Sequence, residues 1–230
     1  LALEVAPNEW ALNDRFVGIH STGLLPEDFD VLKKKHASIV WSPLSNLLLY
    51  GETTRVAAAR DAGIAIGLGS DWSPTGSKNL LGELKAAKVV SAHFNLGFSD
   101  YAIVSMATRN PAAILKWDAR LGTIAKGKFA DLLVVKGVTG EPYGHLIKSR
   151  EQDIVLVTIG GRARHGTKKA MQKTGGGGES LQEGKQCGGI DFTPPEPGPG
   201  LVKVTAEEAG TRLRRARGPP RRPRGPRAGR

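Results

Sequence analysis

The 230 residues contain a single cysteine, Cys187, which excludes an internal disulfide framework. Scarcity of thiols fits a reducing compartment, and the cytoplasm is the expected location. No apolar run is long enough to span a bilayer, and no signal-peptide pattern is visible, so no membrane partner is expected. The first residue is Leu1 rather than Met, from which a chain lacking its true N-terminus is expected. Acid is missing from Arg212–Arg230, a stretch that holds nine arginines. The net charge of +11 therefore belongs mostly to that tail and leaves +2 for everything before it, so the charge says little about the folded part. What is present in quantity is apolar: 40% of the residues, enough for one large core or two small ones.

The most informative stretch is Ile64–Lys78, IAIGLGSDWSPTGSK. Ile64–Gly69 is short and apolar and reads as a buried parallel strand. It runs out into Ser70-Asp71 and a loop with Pro74 and Gly76, after which Ser77 reads as the N-cap of a helix beginning near Asn79. Sites in α/β sheets and barrels are built at this edge of the strands. A carboxylate there can ligate a metal and exchange a proton with metal-bound water. It can equally cap the next turn or pair with a neighbour, and position alone does not separate the two.

Taken in order, the chain opens with a mixed segment, Leu1–Arg15, with helical character around Glu9–Asn13. Phe16–Ile19 is a strand candidate ending at His20, and Glu27–Lys35 is an amphipathic helix opened by Pro26. Ala37–Trp41 is a second strand closed by Ser42-Pro43, followed by a loop over Ser42–Gly51 and a helix over Thr53–Ala62. The strand to Asp71 and a long helix, roughly Leu80–Phe94, complete a β-α-β-α-β-α rhythm that predicts parallel strands with crossover helices. Beyond it, Ser99–Arg109 and Pro111–Trp117 read as helices, Asp118–Gly127 as turns, and Ala130–Val135 and Asp153–Gly160 as strands. A Gly160-Gly161 turn follows, and a small antiparallel β unit is expected here.

After about Ala170 the composition changes to Gly175–Gly178, TPPEPGPG and an Arg/Pro/Gly end. Such a segment buries too little apolar surface to offset its ordering entropy, and Thr174–Arg230 is expected to be disordered. The arginines either contact phosphates, giving weak, salt-sensitive and non-specific nucleic-acid binding, or have no role. No aromatic is interleaved with them for base stacking.

Each of the three α/β strands ends at a polar residue: His20, Ser42 and Asp71. If the strands are parallel these ends share one rim, where an Asp on a metal and a His near the substrate could work together.

FVGIHSTGLLPEDFDVLKKKHASIVWSPLSN, RDAGIAIGLGSDWSP, RNPAAILKW and LGTIAKGKFADLLVV together resemble the C-terminal half of an amidohydrolase-superfamily enzyme. The resemblance runs from about Phe16 to Gly166 and is nearest to the metal-dependent deaminases and chlorohydrolases of cyclic amidines. It implies an α/β fold, a partial (β/α)₈ barrel represented by its last three βα units, with part of a small β-sandwich. The implied organisation is barrel over 1–117, sandwich segment over 118–170 and tail over 171–230.

By that resemblance His20 matches a histidine that contacts substrate and stabilises the attacked centre. Asp71 matches an aspartate that ligates the metal and shuttles the proton of the attacking water. Asn46 matches an asparagine near the site with a mainly structural role, and Trp72 and Ser73 fall where the pocket is lined. Many relatives carry a histidine where this chain has Trp41. The implied cofactor is a divalent metal, Zn²⁺ first. The implied partner is a small molecule with a cyclic amide or amidine group.

The family's His-x-His pair occurs nowhere in the chain, and His36, His93, His145 and His165 do not replace it. A single carboxylate does not make a zinc site, and three βα units do not close a barrel. A fragment inactive alone is therefore expected, with an open edge that favours homo-oligomers. The competing reading is a non-catalytic α/β binding module whose Arg-rich tail takes nucleic acid.

Overall fold

A computed structural model of the protein describes residues 4–7, 9–137, 140–176, 178–183, 186–191, 205, 207, 208 and 211. The chain divides into two compact units: residues 1–131 with 135–154, and residues 132–134 with 155–230.

In the first unit, β1 (Glu4–Ala6) pairs antiparallel with β2 (Glu9–Trp10), the latter falling where helical character was expected around Glu9–Asn13. The centre is a three-stranded sheet, β3 (Val17–Ile19), β4 (Ser38–Trp41) and β5 (Ala65–Leu68), in the order β3-β4-β5 with both pairings parallel. The rhythm read from the sequence is thus realised. The pairing continues just past the strands, with the His20 N–H on Val40 O and the Gly69 N–H on Trp41 O.

The connections are helical for local reasons. Helix α1 (Pro26–Lys34) starts with proline at a position whose N–H is not needed, and the Leu25 N–H bonds the Asp28 carboxylate at 2.9 Å. The stretch Ser42–Gly51, expected as a loop, is largely helix α2 (Pro43–Tyr50). Pro43 opens it and Gly51 ends it with a left-handed φ of 70°. Helix α3 (Val56–Asp61) follows. Helix α4 (Leu80–His93) is capped by Asn79, whose side chain accepts the Gly82 N–H at 3.0 Å; Ser77, expected as the cap, is buried instead. Helices α5 (Asp100–Ala107) and α6 (Arg109–Ile114) come next, and α7 (Pro142–Lys148) lies between strands where little helix was expected. Phe29, Leu32, Ile39, Trp41, Val56 and Ile103 are fully or almost fully buried and form the centre of one apolar core.

The second unit is a five-stranded sheet in the order β6-β7-β8-β10-β9. Its strands are β6 (Leu132–Val135), β7 (Ile154–Ile159), β8 (Arg162–Thr167), β9 (Glu179–Glu183) and β10 (Gln186–Ile190). β7 and β8 form a hairpin through Gly160-Gly161, both with positive φ, as a two-residue turn of this hand requires. Helix α8 (Lys168–Lys173) follows, capped by the Thr167 hydroxyl. β9 and β10 fall inside the stretch expected to be disordered. Backbone pairing to the edge of β8 gives Gly188 and Gly189 partners that need no apolar side chain. Most of the remaining tail, including all of Arg212–Arg230, lies outside the described residues. No helix among the described residues is long and apolar enough to cross a membrane.

Candidate active site

His20 and Asp71 sit one and three residues beyond the ends of β3 and β5, on the same side of the sheet. Both backbones are left-handed, with φ of 62° and 57°. That conformation costs a non-glycine residue on the order of 1 kcal/mol and persists only where surroundings impose it. For Asp71 the constraint is visible. The Ser77 N–H bonds Ser70 O at 3.1 Å and closes the loop, and Gly76 passes so close that a Cβ there would lie 2.1 Å from Ser70 O.

The two side chains meet, with His20 Nε2 3.4 Å from Asp71 Oδ2. Helix α2 reaches in from the intervening β4 and touches both. The Ser45 hydroxyl donates to Asp71 Oδ2, and Asn46 Oδ1 lies 2.8 Å from His20 Nδ1. The orientation of Asn46 follows from its other end, where its amide donates to Thr54 Oγ1 at 2.7 Å while the Thr54 hydroxyl donates to His20 O. Asn46 therefore offers oxygen to the imidazole, Nδ1 carries a proton, and Nε2 faces Asp71 either with a lone pair or with the second proton.

The Ser45 hydroxyl, the Trp72 N–H and the His20 charge hold Asp71 below the usual aspartate range, against the opposing effect of desolvation. Asp71 is an anion at neutral pH. Its side chain and that of His20 keep 25% and 18% of their accessibility, so the pair is reachable from solvent.

The other residues singled out in the sequence divide. Asn46 is fully buried and holds His20. Trp72 gives its N–H to Asp71 while the residue remains 69% exposed, and Ser73 is exposed beside it. Ser42 is buried, and Trp41 is turned into the core against Phe98, its indole N–H bonding Thr53 at 2.8 Å. His36 and His93 are exposed, His145 bonds Lys136 O, and His165 belongs to β8 of the second unit.

Four participants were not singled out in the sequence: Ser45, Thr54, Tyr50, whose ring stands edge-on to His20 at 5.7 Å, and Glu83. Glu83 lies in the first turn of α4 with no exposed surface. One oxygen accepts the Leu44 N–H at 3.0 Å, and the other is buried without a hydrogen bond. Burial pushes its carboxyl above the usual range and the Asp71 charge adds to this. The nearby Ser77 hydroxyl and amide and the Leu44 N–H pull the other way. The Pro43 and Gly51 signals could have revealed α2 and with it the adjacent Ser45-Asn46 pair; no local signal marks Glu83.

Residues 2–164 match the model of the amidohydrolase family. The chain belongs to that family.

Among individual proteins, it is 32% identical over 123 residues to a 5-methylthioadenosine/S-adenosylhomocysteine deaminase of Caldanaerobacter subterraneus subsp. tengcongensis. That match covers 52% of this chain and 28% of the deaminase. It is 30% identical over 157 residues to a putative aminohydrolase of Methanothermobacter thermautotrophicus, covering 67% of this chain and 40% of the other. A zinc-bound adenosine deaminase from Xanthomonas campestris shares the fold, with a TM-score of 0.62 and 24% identity over 66% of this chain and 37% of that one. The chain thus spans between about a quarter and two fifths of the length of these proteins.

Among the described residues no three His, Cys, Asp or Glu side chains gather as a metal needs. Asp71 and His20 supply a carboxylate and an imidazole, short of the three or four protein ligands typical of zinc. The donor set present does not fit a complete metal centre.

Proposed function

We propose that this amidohydrolase hydrolyses a non-peptide carbon–nitrogen bond in a small molecule carrying a cyclic amide or amidine group. The observation that carries the reading is the His20–Asp71 pair, 3.4 Å apart beyond the C-terminal ends of two parallel strands, with each partner held from behind by α2. Asp71, kept ionised, accepts a proton from the attacking water and passes it to the departing nitrogen. His20, its Nδ1 proton committed to Asn46, presents Nε2 to the reacting centre and in its charged form stabilises the negative charge that develops there. Trp72 and Ser73, exposed beside Asp71, line the substrate side.

Asp71 is the residue this chain would contribute to a divalent metal such as zinc. Since the rest of a ligand set is missing among the described residues, no step is assigned to the metal. The parallel sheet with its helices is read as the last three βα units of a (β/α)₈ barrel, and the five-stranded sheet as part of a small β-sandwich.

The test measures ammonia release from cyclic amidines and aminated purines. Activity is followed for the chain alone and mixed with the portion of a deaminase relative that precedes the matched segment. Hydrolysis is expected in the mixture and absent in an Asp71→Asn version of it. Full activity with Asp71→Asn would overturn the assignment.

A further inference from the structure

Helix α2 carries both side chains that hold the reacting pair, yet its own N-terminus has no side-chain cap: Ser42, at the N-cap, makes no such bond. The first N–H groups of a helix lack partners within it and have to find them elsewhere. Here the partner of the Leu44 N–H comes from another helix, through the carboxyl of Glu83, 39 residues later in sequence. Leu44 immediately precedes Ser45 and Asn46. One hydrogen bond therefore lies behind the turn from which Ser45 reaches Asp71 and Asn46 reaches His20.

We propose that Glu83 is a positioning residue for the His20–Asp71 pair: from inside the core it pins the first turn of α2, and through Ser45 and Asn46 that turn sets both side chains. The proposal rests on the reading of His20 and Asp71 as the reacting pair. Two observations set Glu83 apart from an ordinary buried residue. It is a carboxyl with no exposed surface, which is costly and rare. Its second oxygen has no direct hydrogen bond, and the nearby Ser77 hydroxyl and amide offset the burial only in part. An apolar side chain would fill the same volume without that cost. What the carboxyl supplies that an apolar group cannot is an acceptor, used directly by the Leu44 N–H, with the Ser77 hydroxyl and amide beside it. The amide oxygen of glutamine can supply the same acceptor; alanine cannot.

The test reads ring geometry in the full 230-residue chain and needs no substrate. With ¹⁵N-labelled histidine, the ring nitrogens of His20, assigned by loss of their signals in His20→Asn, report which nitrogen carries the proton of the neutral ring. In the wild type the Nδ1–H form is expected to dominate, because Asn46 offers oxygen. In Glu83→Ala the ratio of the two forms is expected to move about fivefold or more toward Nε2–H, roughly the worth of one hydrogen bond. Glu83→Gln is expected to restore the wild-type ratio. A folded Glu83→Ala with the wild-type ratio overturns the proposal, as does a Glu83→Gln that behaves like alanine. If Glu83→Ala does not fold, Glu83→Asp, which retracts the carboxyl by one methylene, is expected to show the same shift. Failure of both to fold overturns the proposal in favour of a core role. A wild type without the Nδ1–H form overturns the site geometry beneath it. Loss of the hydrolase reading through Asp71→Asn would leave the tautomer result standing, so the two failures are distinguishable.

Discussion

Strands β4, SIVW, and β6, LLVV, are four residues each and nearly as apolar as one another, yet the fold treats them differently. β4 is the central strand of the parallel sheet, and Ile39 and Trp41 have no exposed surface. β6 is an edge strand of the five-stranded sheet, with Leu133 and Val134 exposed by 44% and 43%. A buried strand paired in parallel on both sides is fixed along its whole length, and whatever follows it leaves at a defined point and angle. The residues beyond β3 and β5 exploit that: His20 and Asp71 hold left-handed backbones and meet across the end of β4. Side chains on an edge strand open to water do not need that rigidity.

The comparison breaks most visibly at Trp41. Trp41→Ala removes the largest buried side chain of the parallel sheet and is expected to cost about 3–5 kcal/mol in urea unfolding. Trp10, Trp41, Trp72 and Trp117 all belong to the first unit, so tryptophan fluorescence reports that unit alone, and circular dichroism should confirm the shift in the variant. A loss below 1 kcal/mol would mean that β4 is not the centre of the core.

Next in size is Ser45→Ala. It removes a hydrogen bond to an ionised group, worth about 1.5–3 kcal/mol. The Asp71 pKa is lowered in the fold, so its contribution to stability is present above the unfolded value near 3.8 and is lost as the pH falls through the folded value. Ser45→Ala is expected to raise the folded pKa of Asp71 and shrink that acid-side loss. Carbonyl-detected NMR titration of Asp71 checks it, and an unchanged midpoint refutes it.

These two substitutions mark what could be read from the sequence and what could not. The β-α rhythm was legible because buried strands and amphipathic helices carry different periods, and His20 and Asp71 because both close a strand. Helix α2 was hidden by its own composition: LLLY has no apolar period, and Leu48, Leu49 and Tyr50 are exposed. Ser45 and Glu83 were hidden by distance, since each acts on a partner 26 or 39 residues away that only the folded sheet brings near. β9 and β10 were hidden because strand pairing runs through the backbone, which glycines and polar residues supply as well as apolar ones.

A smaller effect separates Asp71 and Glu83 by sign. The Glu83 pKa is raised, so its carboxyl favours the fold most when protonated. The contribution is fully present below the unfolded value near 4.5 and is lost as the pH rises through the folded value. Glu83→Gln removes this titration. Its urea midpoint, read by tryptophan fluorescence, is expected to be less sensitive to rising pH above 4.5 than that of the wild type. Parallel curves for the two proteins over that range would show that Glu83 keeps an ordinary pKa in the fold.

The smallest expected effect, at Val134, is set against its counterpart in the other strand of the pair. Ile39→Thr and Val134→Thr each place a hydroxyl on a β-branched side chain, at the centre of one sheet and the edge of the other. Ile39 has no exposed surface, so its hydroxyl is desolvated, and the variant is expected to lose about 1–3 kcal/mol. Val134 is nearly half exposed, so water remains available to the hydroxyl, threonine keeps the strand preference, and the change is expected to stay within about 0.5 kcal/mol. Amide exchange in β7 and β8 reads the second unit without tryptophan and should be unaltered in Val134→Thr. Protection in β7 and β8 that fell as far in Val134→Thr as the tryptophan-reported stability falls in Ile39→Thr would show that β6 is held as tightly as β4. The contrast between an open edge and a covered centre would then not explain why the polar residues gather where they do.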